Sequence, residues 1–167
     1  MLIRKNDSGR SIVEMLGVLA IMGVITVMGI SGYSQAISKI NRNNVVEQVT
    51  KLAQETRGVF AGRTSYNKSD TDTSGGYDIG GEILKKMGLK LETPYGGVYT
   101  VTSVNSTGLN PGFKIDIPNV STQDCLYFTT MSWMDTLDNK IENTTNTAYA
   151  GNSCPEGEVD TISIYFR

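Results

Sequence analysis

Residues 11–30 read SIVEMLGVLAIMGVITVMGI and contain one charged side chain, Glu14. We call residues 15–30 the apolar segment, which is long enough to cross a bilayer as a helix. Arg4 and Lys5 precede it and favour a cytoplasmic amino terminus, so the polar remainder of the chain is expected outside. A helical pattern follows where a signal peptide would have its small-residue cleavage site, and we therefore expect the segment to be retained.

The composition excludes several classes of function. A chain of 167 residues suits a single domain with a core of its own. Its net charge of -2 lacks the basic excess that binds phosphate backbones, so no nucleic-acid partner is expected. The absence of histidine removes His-dependent catalytic triads and His-ligated metals. We expect a protein that is not an enzyme and that has no cofactor or metal.

Glu14 has two interpretations. A carboxylate at the membrane edge of an apolar helix is costly when it sinks into lipid, and it therefore indicates a function. Ser11 and Glu14 also fit the S-x-x-E capping box, in which both side chains satisfy free backbone donors at a helix start. On these two residues alone, capping is the simpler interpretation.

The run Gly9-Arg10-Ser11-Ile12-Val13-Glu14 resembles the signal of type IV prepilins, in which a short basic leader ends in glycine and glutamate is the fifth mature residue. The resemblance implies that a membrane-embedded prepilin peptidase cuts between Gly9 and Arg10. It also implies N-methylation of Arg10, where the family usually has Phe or Met. Glu14 would pair with the amino terminus of an adjacent subunit. Gly23 falls where pilin helices carry a glycine thought to loosen during assembly.

The resemblance implies a structural subunit of a type IV pilus with three parts. Residues 1–9 are the leader, residues 10–36 the hydrophobic transmembrane and assembly half of a helix, and residues 37–167 a globular part that includes the amphipathic half. The implied partners are other copies of the chain, prepilin peptidase, the assembly platform with its ATPase, and lipid. The implied location is the bacterial inner membrane before assembly and the extracellular pilus afterwards.

The pattern beyond the apolar segment predicts the fold. Apolar residues recur at three- and four-residue steps as far as Phe60, which predicts one helix from about Ile12 to about Phe60. A polar surface loop is expected at Arg63–Gly81. The elements expected after it are a short helix at Glu82–Met87, strands at Val98–Val104 and Phe113–Ile117, a helix from Ser121 to about Leu137, and a strand at Val159–Phe166. This order predicts an α+β pilin fold, with a long amino-terminal helix packed on a small antiparallel sheet.

Acidic residues suggest two weaker possibilities. Asp70-Thr71-Asp72-Thr73-Ser74-Gly75 is similar to a calcium loop, but it lacks ligands that an EF-hand has. Asp116, Asp124 and Asp135 could form an acid–base pair, or they could lie on the solvated surface, which is the expected place for carboxylates.

Cys125 and Cys154 are the only cysteines, and both lie in the part expected to be exported. In that compartment they indicate a structural disulfide that closes a loop of about thirty residues. Two separate thiols are the alternative. The strand Phe113–Ile117 followed by Gln123-Asp124-Cys125 also resembles type IVb pilins, which close a carboxy-terminal loop with a disulfide.

Two other functions remain open on the sequence. A pseudopilin of a type II secretion system shares the signal and the long helix, but often lacks a disulfide. A signal-anchored monomer whose globular part binds a ligand or performs chemistry belongs to a different class. That monomer would show no processing at Gly9.

Overall fold

The computed structural model describes residues 12–72, 74–104, 112–134, 136–143, 146–149, 154 and 160–167. Gly9, Arg10 and Asp135, which the sequence singles out, lie outside these residues. Packing divides the chain into two units, Met1–Ile40 and Asn41–Arg167. We call the second unit the head.

Helix α1 runs from Ile12 to Val59 and confirms the predicted long helix. Its buried side chains all belong to the head and follow each other at intervals of one, three or four residues, which places them on one face. They are Val45, Val49, Leu52, Ala53 and Thr56. Gly62, with φ of +84°, follows the helix end in the left-handed conformation that glycine adopts without strain.

Five strands lie in the described part of the head: Thr100–Val104 (β1), Gly112–Val120 (β2), Thr136–Asn143 (β3), Asn146–Tyr149 (β4) and Asp160–Phe166 (β5). They form an antiparallel sheet in the order β1-β2-β5-β3-β4. Ile115 of β2 pairs with Val101 on one side and with Ile164 on the other. All three side chains are fully buried, and they share one core cluster with the buried face of α1. The predicted α+β fold is confirmed.

Helix α2 spans Thr122–Thr130 and begins at Ser121 as predicted, because the Ser121 side chain accepts a hydrogen bond from the Asp124 N–H. Its predicted end at about Leu137 is wrong. The chain becomes extended at Met131, and Leu137 belongs to β3. Trp133 folds back after the helix and donates from Nε1 to the Phe128 carbonyl at 3.0 Å, which satisfies one of the last carbonyls of α2.

Two further regions differ from their predictions. In place of a helix at Glu82–Met87, the head has a π-helical turn at Gly80–Leu84, after which Gly88 turns the chain with φ of +82°. The predicted surface loop is partly built into the sheet edge. The Gly76 N–H donates to the Ser103 carbonyl at 2.8 Å, and Asn67, which is only 5 % exposed, accepts a hydrogen bond from the Ser103 hydroxyl.

Candidate functional site

The apolar segment is uncovered. Its large apolar side chains are all more than half exposed, between 51 % for Val18 and 69 % for Met28. An 18-residue window of α1 has a mean hydropathy of 2.2 with none of its residues buried, so this helix is long and apolar enough to cross a membrane. A continuous apolar surface of this kind indicates a site that lipid or another protein covers.

Glu14 lies in the first turn of α1 and is exposed. A carboxylate in this position is favoured by the positive end of the helix dipole. Among the described residues no cation lies within ion-pair distance of it. Ser11, its expected partner in a capping box, lies outside the described residues, so the capping interpretation stays a prediction.

Four glycines interrupt the apolar surface of α1, at Gly17, Gly23, Gly29 and Gly32. A Cβ atom placed at any of them would meet no atom within 4 Å in the described part of the chain. Contacts within one molecule therefore do not require glycine there. Glycines that have no internal packing reason are suited to the close approach of a second helix.

The Asp124 carboxylate joins α1 to α2 inside the head. It accepts hydrogen bonds from the Arg42 guanidinium and from the Ser121 hydroxyl, the latter at 2.9 Å. The Arg42 guanidinium also lies 5.3 Å from the centroid of the Tyr127 ring, in cation–π geometry. Asp124 is only 4 % exposed, so the expectation of a solvated carboxylate is wrong for this residue. A buried carboxylate is tolerated here because Arg42 neutralises it.

Tyr95 borders this ion pair, and Tyr99 lies close to Tyr95. Burial raises the pKa of the Tyr95 phenol, and the charge of Asp124 raises it further. The Tyr95 hydroxyl is buried next to the Asp124 carboxylate, and among the described residues it makes no well-aligned hydrogen bond. Burial also raises the pKa of Tyr99, whose hydroxyl donates to Gln48 Oε1 at 2.8 Å. Both phenols therefore stay neutral and serve packing.

The disulfide between Cys125 and Cys154 is present, with Cα atoms 6.0 Å apart and a sequence separation of 29. The predicted bridge is confirmed. Cys125 follows Asp124 directly on α2, so this short helix is held by an ion pair and by a covalent bond at adjacent residues.

Asp116 lies on β2, where its carboxylate accepts from Thr100 and Ser163 and pairs with Lys114 at 3.0 Å. It has no hydrogen bond with Asp124 in the described structure. The carboxylate pair that could have performed acid–base chemistry is therefore not formed by these two residues.

Arg42 takes part in this site although the sequence analysis gave it no role. It precedes Val45 by three residues and Val49 by seven, so helical spacing places it on the buried face. A cation on the buried face of α1, together with the Asp124 carboxylate at the start of a predicted helix, could have indicated this ion pair from the sequence.

Residues 39–165 match the family model described as PilS N terminal. The match covers the head almost completely. The chain belongs to this pilus-related family. No curated protein and no solved structure gave a significant match. Within this PilS-family chain, the match excludes Glu14 and the apolar segment, so the interpretation of those residues depends on their own physical chemistry.

Proposed function

We propose that this chain is a prepilin whose mature form is the structural subunit of a type IV pilus. The observation that carries the proposal is the exposed apolar segment on a chain that belongs to a pilus-related family. A head with its own core does not need these side chains for folding. Each large apolar side chain that becomes buried contributes about 1.5–3 kcal/mol, so covering the segment supplies a large driving force.

In this proposal the segment is covered twice. Lipid of the bacterial inner membrane covers it first, with the head outside. The assembly platform and its ATPase then extract the subunit, and apolar segments of neighbouring copies replace the lipid. Such head-to-tail contacts do not close on themselves and give a helical filament. The subunit is not an enzyme in this scheme, because its role is to bury its apolar segment among other copies and to hold them in a fixed register.

Glu14 sets the register of assembly. Prepilin peptidase cuts between Gly9 and Arg10 and frees an amino group, which is N-methylated on Arg10. Glu14 of an adjacent copy then pairs with that amine in an apolar surrounding, where an unpaired carboxylate is costly. Gly23 weakens the helix by about 1 kcal/mol relative to alanine and lets this stretch loosen as the subunit leaves the bilayer.

The disulfide and the strand–helix order of the head favour the type IVb subclass. The bridge closes the carboxy-terminal loop onto α2, directly after the Gln123-Asp124-Cys125 sequence that resembles this subclass. A pseudopilin often lacks such a bridge. The disulfide is therefore the specific observation that favours a pilus over a secretion pseudopilus.

Mass spectrometry of the mature amino terminus tests the processing step. We expect a chain that begins at Arg10 and carries one additional methyl group. An intact Met1 would refute the prepilin proposal. Electron microscopy of cells that express the chain with its assembly machinery tests the filament, and mature protein without surface filaments would favour the pseudopilin.

A further inference from the structure

The two halves of the disulfide lie in different surroundings. Cys125 is only 4 % exposed and belongs to the core cluster of the head, together with Phe128 and Trp133. Cys154 is partly exposed and packs against the outside of that cluster. The bond between them therefore runs from the core to its margin, and a reagent in solution reaches the Cys154 end more readily.

The buried end is held by contacts that do not involve the bridge. Cys125 follows Asp124 on α2, and the Asp124 carboxylate accepts hydrogen bonds from Ser121 and from Arg42 of α1. Phe128, one turn further along α2, is fully buried. Because these contacts join α2 directly to α1 and to the core, they keep Cys125 buried whether the bridge is open or closed.

This difference in burial decides where the bridge can react. Exchange of a disulfide requires a thiolate to reach one of its two sulfur atoms, so access to each sulfur controls the rate. Burial blocks the approach to the Cys125 sulfur, whereas the partial exposure of Cys154 leaves its sulfur open. The same asymmetry applies in the reduced head, because the contacts of α2 keep the Cys125 thiol covered.

We infer that Cys154 is the exchange site of this disulfide, and that the ion pair of Arg42 with Asp124 positions Cys125 as its buried resolving partner. During oxidation the Cys154 thiolate attacks a dissolved disulfide, forms a mixed disulfide and releases one of that reagent's two thiolates. The Cys125 thiolate then attacks the Cys154 sulfur, closes the bridge and releases the second thiolate. Two protein thiols lose two electrons and two protons, and the reagent's disulfide becomes two thiols.

Reduction follows the same route in reverse. A thiol in solution attacks the Cys154 sulfur, becomes bonded to it and releases Cys125, which takes the proton and becomes a thiol. Both directions involve the head alone, so neither depends on the assembly of a filament.

Reaction of the oxidised wild-type chain with glutathione tests the exchange site without any substitution. The full-length chain in detergent is treated with excess glutathione, and early samples are acidified and blocked with N-ethylmaleimide. Trypsin cleavage after Lys114 and Lys140 separates the two cysteines into peptides 115–140 and 141–167. By mass spectrometry we expect at least about tenfold more glutathione on the Cys154 peptide. Equal labelling, or more label on the Cys125 peptide, would overturn the inference.

The same reaction in urea is the control for effects of the local sequence. An unfolded chain has no buried Cys125, so the ratio of label on the Cys154 peptide to label on the Cys125 peptide should fall to about one. A ratio that keeps its native value in urea would attribute the selectivity to neighbouring residues along the chain and would overturn the role of burial.

Two substitutions with opposite effects on charge test the positioning role. Asp124→Asn removes a negative charge beside Cys125, and Arg42→Gln removes the positive charge that faces Asp124. Both weaken the attachment of α2 to α1, so both should lower the labelling ratio several-fold, toward the value in urea. Asp78→Asn, at an exposed carboxylate outside α1 and α2, is the matched control and should leave the ratio unchanged.

The fluorescence of Trp133 establishes whether each variant has a folded head during labelling. Arg42→Lys keeps a cation opposite Asp124 and should give a ratio between the wild-type and urea values, which provides the test if the other two variants do not fold. Folded Asp124→Asn and Arg42→Gln variants with the wild-type ratio, or with shifts in opposite directions, would overturn the positioning role of the ion pair.

Discussion

The apolar segment and the head solve the same physical problem in opposite ways. The head removes its apolar side chains from water by packing Val45, Val49 and Leu52 of α1 into one cluster with its sheet residues. The apolar segment has a stronger apolar pattern and buries none of it. The difference shows that hydrophobicity alone does not specify where a side chain is buried. An internal core needs polar residues on the opposite face, whereas a helix that is apolar all round requires lipid or other subunits.

The largest expected effect is a loss of filament yield that leaves the stability of the head unchanged. If Glu14 pairs with the amine of an adjacent copy as proposed, Glu14→Ala should reduce filament yield about 100-fold, because it leaves that amine unpaired in an apolar surrounding, where an unpaired charge costs about 2.5–3.5 kcal/mol. The thermal unfolding of the head and leader cleavage should both stay at wild-type values. Glu14→Asp keeps the charge and should restore part of the yield. Normal filament counts for Glu14→Ala would show that Glu14 has no role in assembly.

The next effect is confined to the head. Cys125→Ser should lower its free energy of unfolding by about 3–4 kcal/mol, since the disulfide joins residues at a sequence separation of 29 and restricts that loop in the unfolded chain. Urea unfolding followed by the fluorescence of Trp133 measures it. Cys154→Ser is the matched control, and the double variant should be no less stable than either single variant. Additive losses would mean that each cysteine stabilises the head by packing instead of bonding.

Breaking the ion pair between α1 and α2 should have a smaller effect. Asp124→Asn should destabilise the head by about 2–4 kcal/mol, because the Arg42 guanidinium is left largely buried without its carboxylate. The side chain of Arg42 is 22 % exposed, and this access to water keeps the loss below that of a fully buried pair. A double-mutant cycle with Arg42→Gln measures the coupling directly. Asp78→Asn, at an exposed carboxylate, should change stability by less than about 0.5 kcal/mol.

The smallest effect tests packing at a turn. A Cβ atom at Gly97 would lie 2.4 Å from Cγ of Pro118, so Gly97→Ala should cost about 1–3 kcal/mol as the β2 end is pushed away. Gly58 is the matched control, since a Cβ there meets nothing within 4 Å. Gly58→Ala lies in the last turn of α1 and should stabilise the head by up to about 1 kcal/mol. Equal stability of the two variants would contradict the close approach.

Predictions from the sequence succeeded where a pattern is local and strong. The 3.6-residue period of α1, the cap at Ser121 and the alternation in β5 all express contacts that repeat every few residues, and their elements were found. Strands β3 and β4 were missed because Thr136–Asn143 is mostly polar and Asn146–Tyr149 has only four residues. Their identity as strands depends on backbone pairing with β5 and with each other, which leaves little trace in side-chain hydrophobicity.

For the candidate site, too, local features could be predicted from the sequence and contacts between distant residues could not. The sequence by itself identified the apolar segment, Glu14 at its start and the pair Cys125 and Cys154 as features that matter. A long apolar run, a charge beside it and two cysteines in a part expected to be exported each have few structural uses. Only the tertiary structure decided that Asp124 is buried against Arg42 and that Asn67 is buried against Ser103. These pairings join residues distant along the chain, and their energies depend on burial and distance, which a linear pattern does not contain.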